Sequence, residues 1–378
     1  MILRTCDLEK FIQRTNGRTL ICFGAGKLLS EFCDEFRDFF FENRITFIVD
    51  NNPALWGTKK CLNGVELDIK PPDVIFTSAT KDTIVLITCG GASALDIFKS
   101  LNSDIGLSAN DCYFARFVRD CQRDRMSYSA AKVPDGFRMN PTSVIPKKIH
   151  YCWVGGNPIP EKNLKCIDSW KRFCPDYEIV EWNESNYDFT KNRYMHEAYE
   201  ARKWGFVPDY ARLDIIYTHG GIYLDTDVEI VRSLDELLYN DAFCGFEDMK
   251  HIAFGLGFGS KVNFPLFKDM RDFYNDIPFI KEDKSLNLIA SPILQTEFLL
   301  KRGLNQGGGF QVLKGLAIYP VEYFAPLSLG TRHLKRTSNT YSIHWFDGSW
   351  LSEELRSSND FYTKLFVLAL TNEKTIGT

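Results

Sequence analysis

Residues 209–230, "DYARLDIIYTHGGIYLDTDVEI", constrain the fold more than any other stretch. Ala211, Ile215 and Tyr217 recur at helical spacing, so the segment opens as a helix with one apolar side. Asp209 and Arg212 stand a turn apart near its start. Gly220 and Gly221 end the helix, and "IYLD" follows as a short apolar strand that delivers Asp225 and Asp227 at its carboxyl end. Open α/β sheets collect their ligands at that end of their strands. A helix, a glycine stop, a strand and polar residues at the strand end predict an α/β layer fold.

The first third repeats the alternation. "TLICF" reads as a strand, and Gly24 and Gly26 lead into a helical stretch carrying Leu28, Leu29, Phe32, Phe36, Phe39 and Phe40; "TFIVD" and "DTIVLITCGG" continue the pattern. Residues 1–115 thus form a small Rossmann-like parallel α/β domain. Gly24 and Gly26 would let a phosphate approach a helix N-terminus, with Asp50 near a ribose, as in a nucleotide-binding oxidoreductase or regulatory module. Leu29 stands where the third glycine of that fingerprint belongs, and a tight turn without a ligand explains the glycines equally well. Absorbance of a bound nicotinamide would separate the two. The segment from "FGAGKLLSEF" to "LNGVEL" also resembles the N-terminal domains of bacterial polysaccharide-assembly proteins.

Residues 116–145 read as a linker, first arginine-rich and then rich in Pro, Ser and Gly. Arg116, Arg119, Arg123, Arg125 and Arg138 would face either anionic lipid, as a peripheral membrane contact, or intramolecular acids; the second is the commoner arrangement. With a net charge of -4 the chain has no general attraction to nucleic acid, which is not an expected partner. The opening residues lack a signal-peptide pattern, so a cytoplasmic protein is expected. The 11 cysteines show no paired spacing for zinc or redox work and read as reduced, mostly buried small hydrophobes.

A second domain, residues 146–352, begins with the strand "KKIHYC", after which Trp153, Gly155 and Gly156 make room for a flat ligand; a core tryptophan is the plainer alternative. A helical tail, residues 353–378, follows it. Two carboxylates at i and i+2 point apart on an extended strand, but where the backbone turns at a strand end they converge on one hard divalent cation. Oxygen ligands select Mg2+ or Mn2+, whose open positions suit a departing nucleoside diphosphate. A haloacid-dehalogenase-like phosphatase also ends a strand with D-x-D, but Val228 and Glu229 do not complete its pattern.

"DYARLDIIYTHGGIYLDTDVE", "KKIHYCWVGG", "AFCGFE" and "YFAPLSLGT...NTYSIHWFDGSW" together resemble the D-x-D sugar-transferase domain of glycosyltransferase family 32, and more distantly the glucosyltransferase domain of large clostridial toxins. The resemblance implies a GT-A fold, a nucleotide-sugar donor (UDP-galactose or UDP-glucose), a divalent metal and retention of configuration. It implies that Trp153 stacks on the base, that Asp209 and Arg212 hold sugar and phosphate, and that Tyr223 and Asp225 contact the nucleotide. It implies further that Asp227 with Asp225 binds the metal, that His344 completes that site, and that Ser349 and Trp350 close a loop over the pyrophosphate. His344 as a hydrogen-bonded structural histidine, and Trp350 as core, are the alternatives. In "IASPILQTEF" the chain departs from relatives, which usually have a glycine before the proline. No carboxylate in a recognisable motif is left as an acceptor base, which accords with retention. With the polysaccharide-type first domain, the expected acceptor is a lipid-linked glycan of capsule or O-antigen type.

Overall fold

The computed structural model describes residues 1–128, 131–330, 332–348 and 353–374. The chain divides into two compact units: the first gathers Met1–Arg125 with Gly330–Arg332 and Ser352–Thr378, and the second comprises Met126–Leu329 and His333–Leu351.

The first unit is built on seven strands: β1 (Ile2–Arg4), β2 (Thr19–Phe23), β3 (Ile45–Val49), β4 (Lys59–Leu62), β5 (Val65–Lys70), β6 (Thr83–Ile87) and β7 (Asp111–Phe114). Their order is β1-β7-β6-β2-β3-β5-β4, with only β4 antiparallel to its neighbour. The succession β5-β3-β2-β6-β7 is the doubly wound arrangement, in which the chain goes one way from β2 and then returns to extend the sheet the other way. β6 is buried along its whole length, as expected for a strand covered on both faces.

The helix after Gly26 is shorter than its apolar pattern predicts. It runs Lys27–Glu35, and Phe40 adopts a left-handed φ of 50° between two short 3-10 turns, so Phe39 and Phe40 fall outside it. Asp50 Oδ2 accepts from Ala25 N at 2.7 Å, so this carboxylate closes the glycine turn itself.

The stretch expected as a linker holds a helix, Ala115–Tyr128. Its arginines are engaged with acids: Arg116 and Arg119 lie near Asp120, Arg123 pairs with Glu35, and Arg125 reaches Asp7 and Glu9. Arg138 lies over the Tyr239 ring. Arg116, Arg119, Arg123 and Arg125 thus have acids of the same chain as neighbours. The tail helix Glu353–Lys374 belongs to the first unit, where Asn372 bonds the Leu3 carbonyl and Phe366 meets Phe117 edge-on. Among the described residues no helix is long and apolar enough to cross a membrane. All cysteines are free thiols and most are buried.

The second unit has a sheet of β8 (Lys148–Cys152), β9 (Glu178–Trp182), β10 (Gly221–Tyr223), β12 (Ala242–Gly245), β13 (Phe258–Ser260), β14 (Gln311–Leu313) and β15 (Leu316–Tyr319). A separate ribbon pairs β11 (Val228–Ile230) with β16 (Ser342–His344). The sheet order is β14-β15-β12-β13-β10-β8-β9, with β13 and β14 antiparallel to their neighbours. β8, β9, β10, β12 and β15 therefore share one direction, and their carboxyl ends share one edge.

Candidate functional site

The helix Pro208–His219 leads into this edge. Every residue from Pro208 to Ile216 is buried, so it is enclosed on all sides, where its sequence suggested one apolar side. Gly220 caps it at φ 64°, and a side chain on Gly221 would strike the Lys148 carbonyl at 2.9 Å. Only glycine lets β10 start so close to β8. β10 ends at Tyr223, Leu224 N still bonds the His150 carbonyl at 3.0 Å, and the chain then turns, with Val228 N on the Asp225 carbonyl at 3.1 Å. The turn lets both carboxylates face one point.

The ribbon supplies the third group. Pairing of Val228 with His344 brings His344 Nε2 to 3.1 Å from Asp227 Oδ1, and Asp347 N donates to Asp227 Oδ2 at 2.9 Å. Ligand atoms of Asp225, Asp227 and His344 all lie within 4.8 Å of one another. His344 Nδ1 is buried without a hydrogen-bond partner among the described residues. Two carboxylates and an imidazole with one unmatched buried nitrogen fit a divalent cation.

Charge is concentrated here. Burial works against the ionised form of Asp227, but His344 and the Asp347 amide hold its pKa near 2. Burial likewise opposes the His344 charge, and Asp227 overcomes it, leaving His344 at about 9. Beneath them Arg212 Nη2 lies 3.2 Å from Asp209 and 3.6 Å from Asp225. Burial pushes Asp209 up to about 6 against the pull of Arg212, and Ser291 hydrogen-bonds it. Ser291 stands in the stretch where the sequence departs from its relatives. Asp209 and Arg212 are therefore a buried pair joined to the D-x-D, unlike an exposed i,i+3 pair on a helix surface.

Asp225 keeps 30% of its side chain exposed, so it can meet a ligand. Tyr223 is 1% exposed, with Arg212 over its ring at 5.2 Å. Enclosed by core and capped by a guanidinium, the Tyr223 side chain supports Arg212. Trp153 sits at the end of β8, half-buried, with its indole N–H on the Asn157 carbonyl at 2.6 Å. A side chain on Gly155 would run into the Trp204 ring, so this loop is held against a second indole. Ser349 and Trp350 lie outside the described residues.

Two groups escaped the sequence reading. Gly255 accepts the Asp225 amide at 3.2 Å, and a methyl there would overlap the Asp225 carboxylate. Gln295, 1% exposed, holds Phe254 N at 3.0 Å. Glycine density in "FGLGFGS" was a visible signal, but nothing in it says which glycine meets Asp225.

Residues 160–244 match the family model described as glycosyltransferase sugar-binding region containing DXD motif. These residues are thus a DXD-containing sugar-binding region of glycosyltransferase type. The glycosyltransferase domain is 39% identical over 108 residues to inositol phosphoceramide mannosyltransferase 3 of Schizosaccharomyces pombe, covering 28% of this chain and 30% of that protein. It is 32% identical over 138 residues to mannosyl phosphorylinositol ceramide synthase CSH1 of Saccharomyces cerevisiae, covering 33% of this chain and 35% of that one. The chain thus spans about a third of the length of these relatives. Among solved structures, PaToxG glycosyltransferase aligns over 49% of this chain and 80% of its own at 21% identity, with a TM-score of 0.35.

Proposed function

We propose that the protein is a metal-dependent hexosyltransferase that moves a sugar from UDP-galactose or UDP-glucose to a hydroxyl of a lipid-linked glycan, with retention of configuration. The observation that carries this reading is the convergence of Asp225, Asp227 and His344 at the carboxyl edge of the sheet. These three residues would hold Mn2+ or Mg2+, and the imidazole beside two carboxylates favours manganese. Such a cation offsets the charge of the departing diphosphate. Trp153, at the end of the neighbouring β8, is placed to stack on the base. Arg212 holds Asp225 from behind, so that carboxylate is oriented before a ligand arrives.

The relatives' names, mannosyltransferases of inositol phosphoceramide, support a lipid-borne acceptor and bring GDP-mannose into the donor screen. We place the reaction at the cytoplasmic face of a membrane, on a capsule or O-antigen type intermediate. Thermal unfolding with UDP-glucose, UDP-galactose and GDP-mannose, with and without Mn2+, identifies the donor, since a ligand of the native state raises the melting point. Asp227→Asn removes a charge the departing diphosphate needs offset, so transfer should fall by several orders of magnitude in a folded protein. Full activity in chelator, or in Asp227→Ala, ends this reading.

A further inference from the structure

Glu247 closes the "AFCGFE" motif just past β12. β12 and β10 are both antiparallel to β13, so they point the same way and end on the same edge. Phe246 bridges Ile252, and Glu247 N bonds the His251 carbonyl at 2.8 Å, which starts a hairpin at Glu247. The returning arm puts Ala253 N on the Gly245 carbonyl at 3.3 Å, and Gly255 then accepts from Asp225 N at 3.2 Å. One short, pinned segment thus joins Glu247 to the D-x-D turn.

The hairpin tip looks after its own polar groups. Asp248 Oδ1 accepts from Lys250 N at 2.6 Å and from His251 N at 2.8 Å, with the His251 ring alongside. Glu247 differs. Its side chain is partly buried, and among the described residues no donor bonds its carboxylate. Burial raises it to about 7, opposed by the charges of His344 and His251 and reinforced by Asp248. Glu247 in turn raises His344, so the two groups feel each other. A partly buried carboxyl without a hydrogen-bond donor burdens the fold, and only the charges of His344 and His251 offset that burden.

We propose that Glu247 is the acceptor-side catalytic residue of the transferase, taking the proton of the attacking hydroxyl. This inference rests on the transfer reading above. In the step, the acceptor oxygen bonds to the anomeric carbon while the bond from that carbon to the phosphate oxygen breaks, and its electron pair leaves with the diphosphate. The hydroxyl proton passes to the Glu247 carboxylate and then to solvent. Its place on the edge where β10 and β12 end, pinned to the D-x-D turn and with no donor on its carboxylate, leaves Glu247 able to accept such a proton.

The test uses the full chain with Mn2+ and the donors UDP-glucose, UDP-galactose and GDP-mannose, with water as the attacking hydroxyl. Release of nucleoside diphosphate reports turnover, and calorimetry with UDP or GDP reports donor binding. Glu247→Gln should bind nucleotide within about twofold of the parent, melt no lower, and hydrolyse donor about 10²- to 10⁴-fold more slowly. A variant that hydrolyses at the parental rate overturns the proposal. So does one that loses nucleotide binding in step with turnover, because Glu247 would then serve the metal. A parent chain that binds and hydrolyses none of the three donors removes the transfer reading, and this inference with it.

Discussion

Gly255→Ala tests whether the position of one carboxylate governs the site. The backbone at 255 has no positive φ, so alanine can be accommodated there, and the conflict lies entirely with side chains. A methyl would overlap Asp225 Oδ2, sit 3.1 Å from its Cγ and stand 3.4 Å from Arg212 Nη1. Helix Pro208–His219 is buried and holds Arg212, so the carboxylate is the part that moves. Restoring ordinary contact requires a shift of about 1 Å, a displacement that costs on the order of 100-fold where reacting groups must be aligned. Metal affinity should fall about 10- to 100-fold, as when an orienting partner of a ligand is lost. Titration with Mn2+, followed by its paramagnetic resonance signal, reads affinity directly, and the melting point checks the fold. If folded Gly255→Ala binds Mn2+ as tightly as the parent, then Asp225 is not a ligand in the arrangement described.

Trp153→Ala should weaken nucleotide binding by about 1 to 3 kcal/mol, with turnover at saturating donor less affected; unchanged affinity by calorimetry would make Trp153 part of the core. Without metal, the Asp227–His344 pair gives stability a pH window. Asp227 is held near 2, so its contribution is complete above about 3.9, its value in an unfolded chain, and is lost as pH falls through 2. His344 is held near 9, so its contribution is complete below about 6.5 and is lost as pH rises through 9. Melting points measured in chelator should therefore drop between pH 6.5 and 9.5, and His344→Gln should flatten that limb.

The local part of this architecture was legible. The glycine stop after the helix, the strand that follows and the carboxylates at its end depend on neighbours in sequence, and the doubly wound first unit likewise announces itself through alternating patterns. The non-local part was not. Aromatic spacing carried the expected helix through Phe40, but the helix ends at Glu35 and the chain goes on in two 3-10 turns about a left-handed Phe40. The same spacing made helix Pro208–His219 look one-sided, because Asp209 and Arg212 are polar; they are buried through each other and through Asp225. The pairing of β11 with β16 joins segments far apart in the chain, so Asp227 and His344 could be linked beforehand only by resemblance. Glu247 lay inside a quoted motif, yet its missing partners become visible only once its surroundings are assembled.

Glu247 also changes the argument for stereochemistry. Retention was expected partly because no carboxylate was left to serve the acceptor, and that ground is gone. The position of the new carboxylate supplies a better one. A base that drives inversion must stand across the sugar ring from the departing oxygen, with the sugar between it and the cation that holds the diphosphate. Glu247 is joined through the short hairpin and Gly255 to the D-x-D turn that would hold the cation, so we place it on the side of the leaving group. A hydroxyl that gives its proton to Glu247 then approaches the face from which the diphosphate departs, and the product keeps the donor's configuration. The expected product from α-linked UDP-glucose or UDP-galactose is α-linked, read by proton NMR as a small anomeric coupling in the first-formed sugar. A large coupling, reporting a β-linked product, would place Glu247 across the ring and reject retention together with the placement argued here.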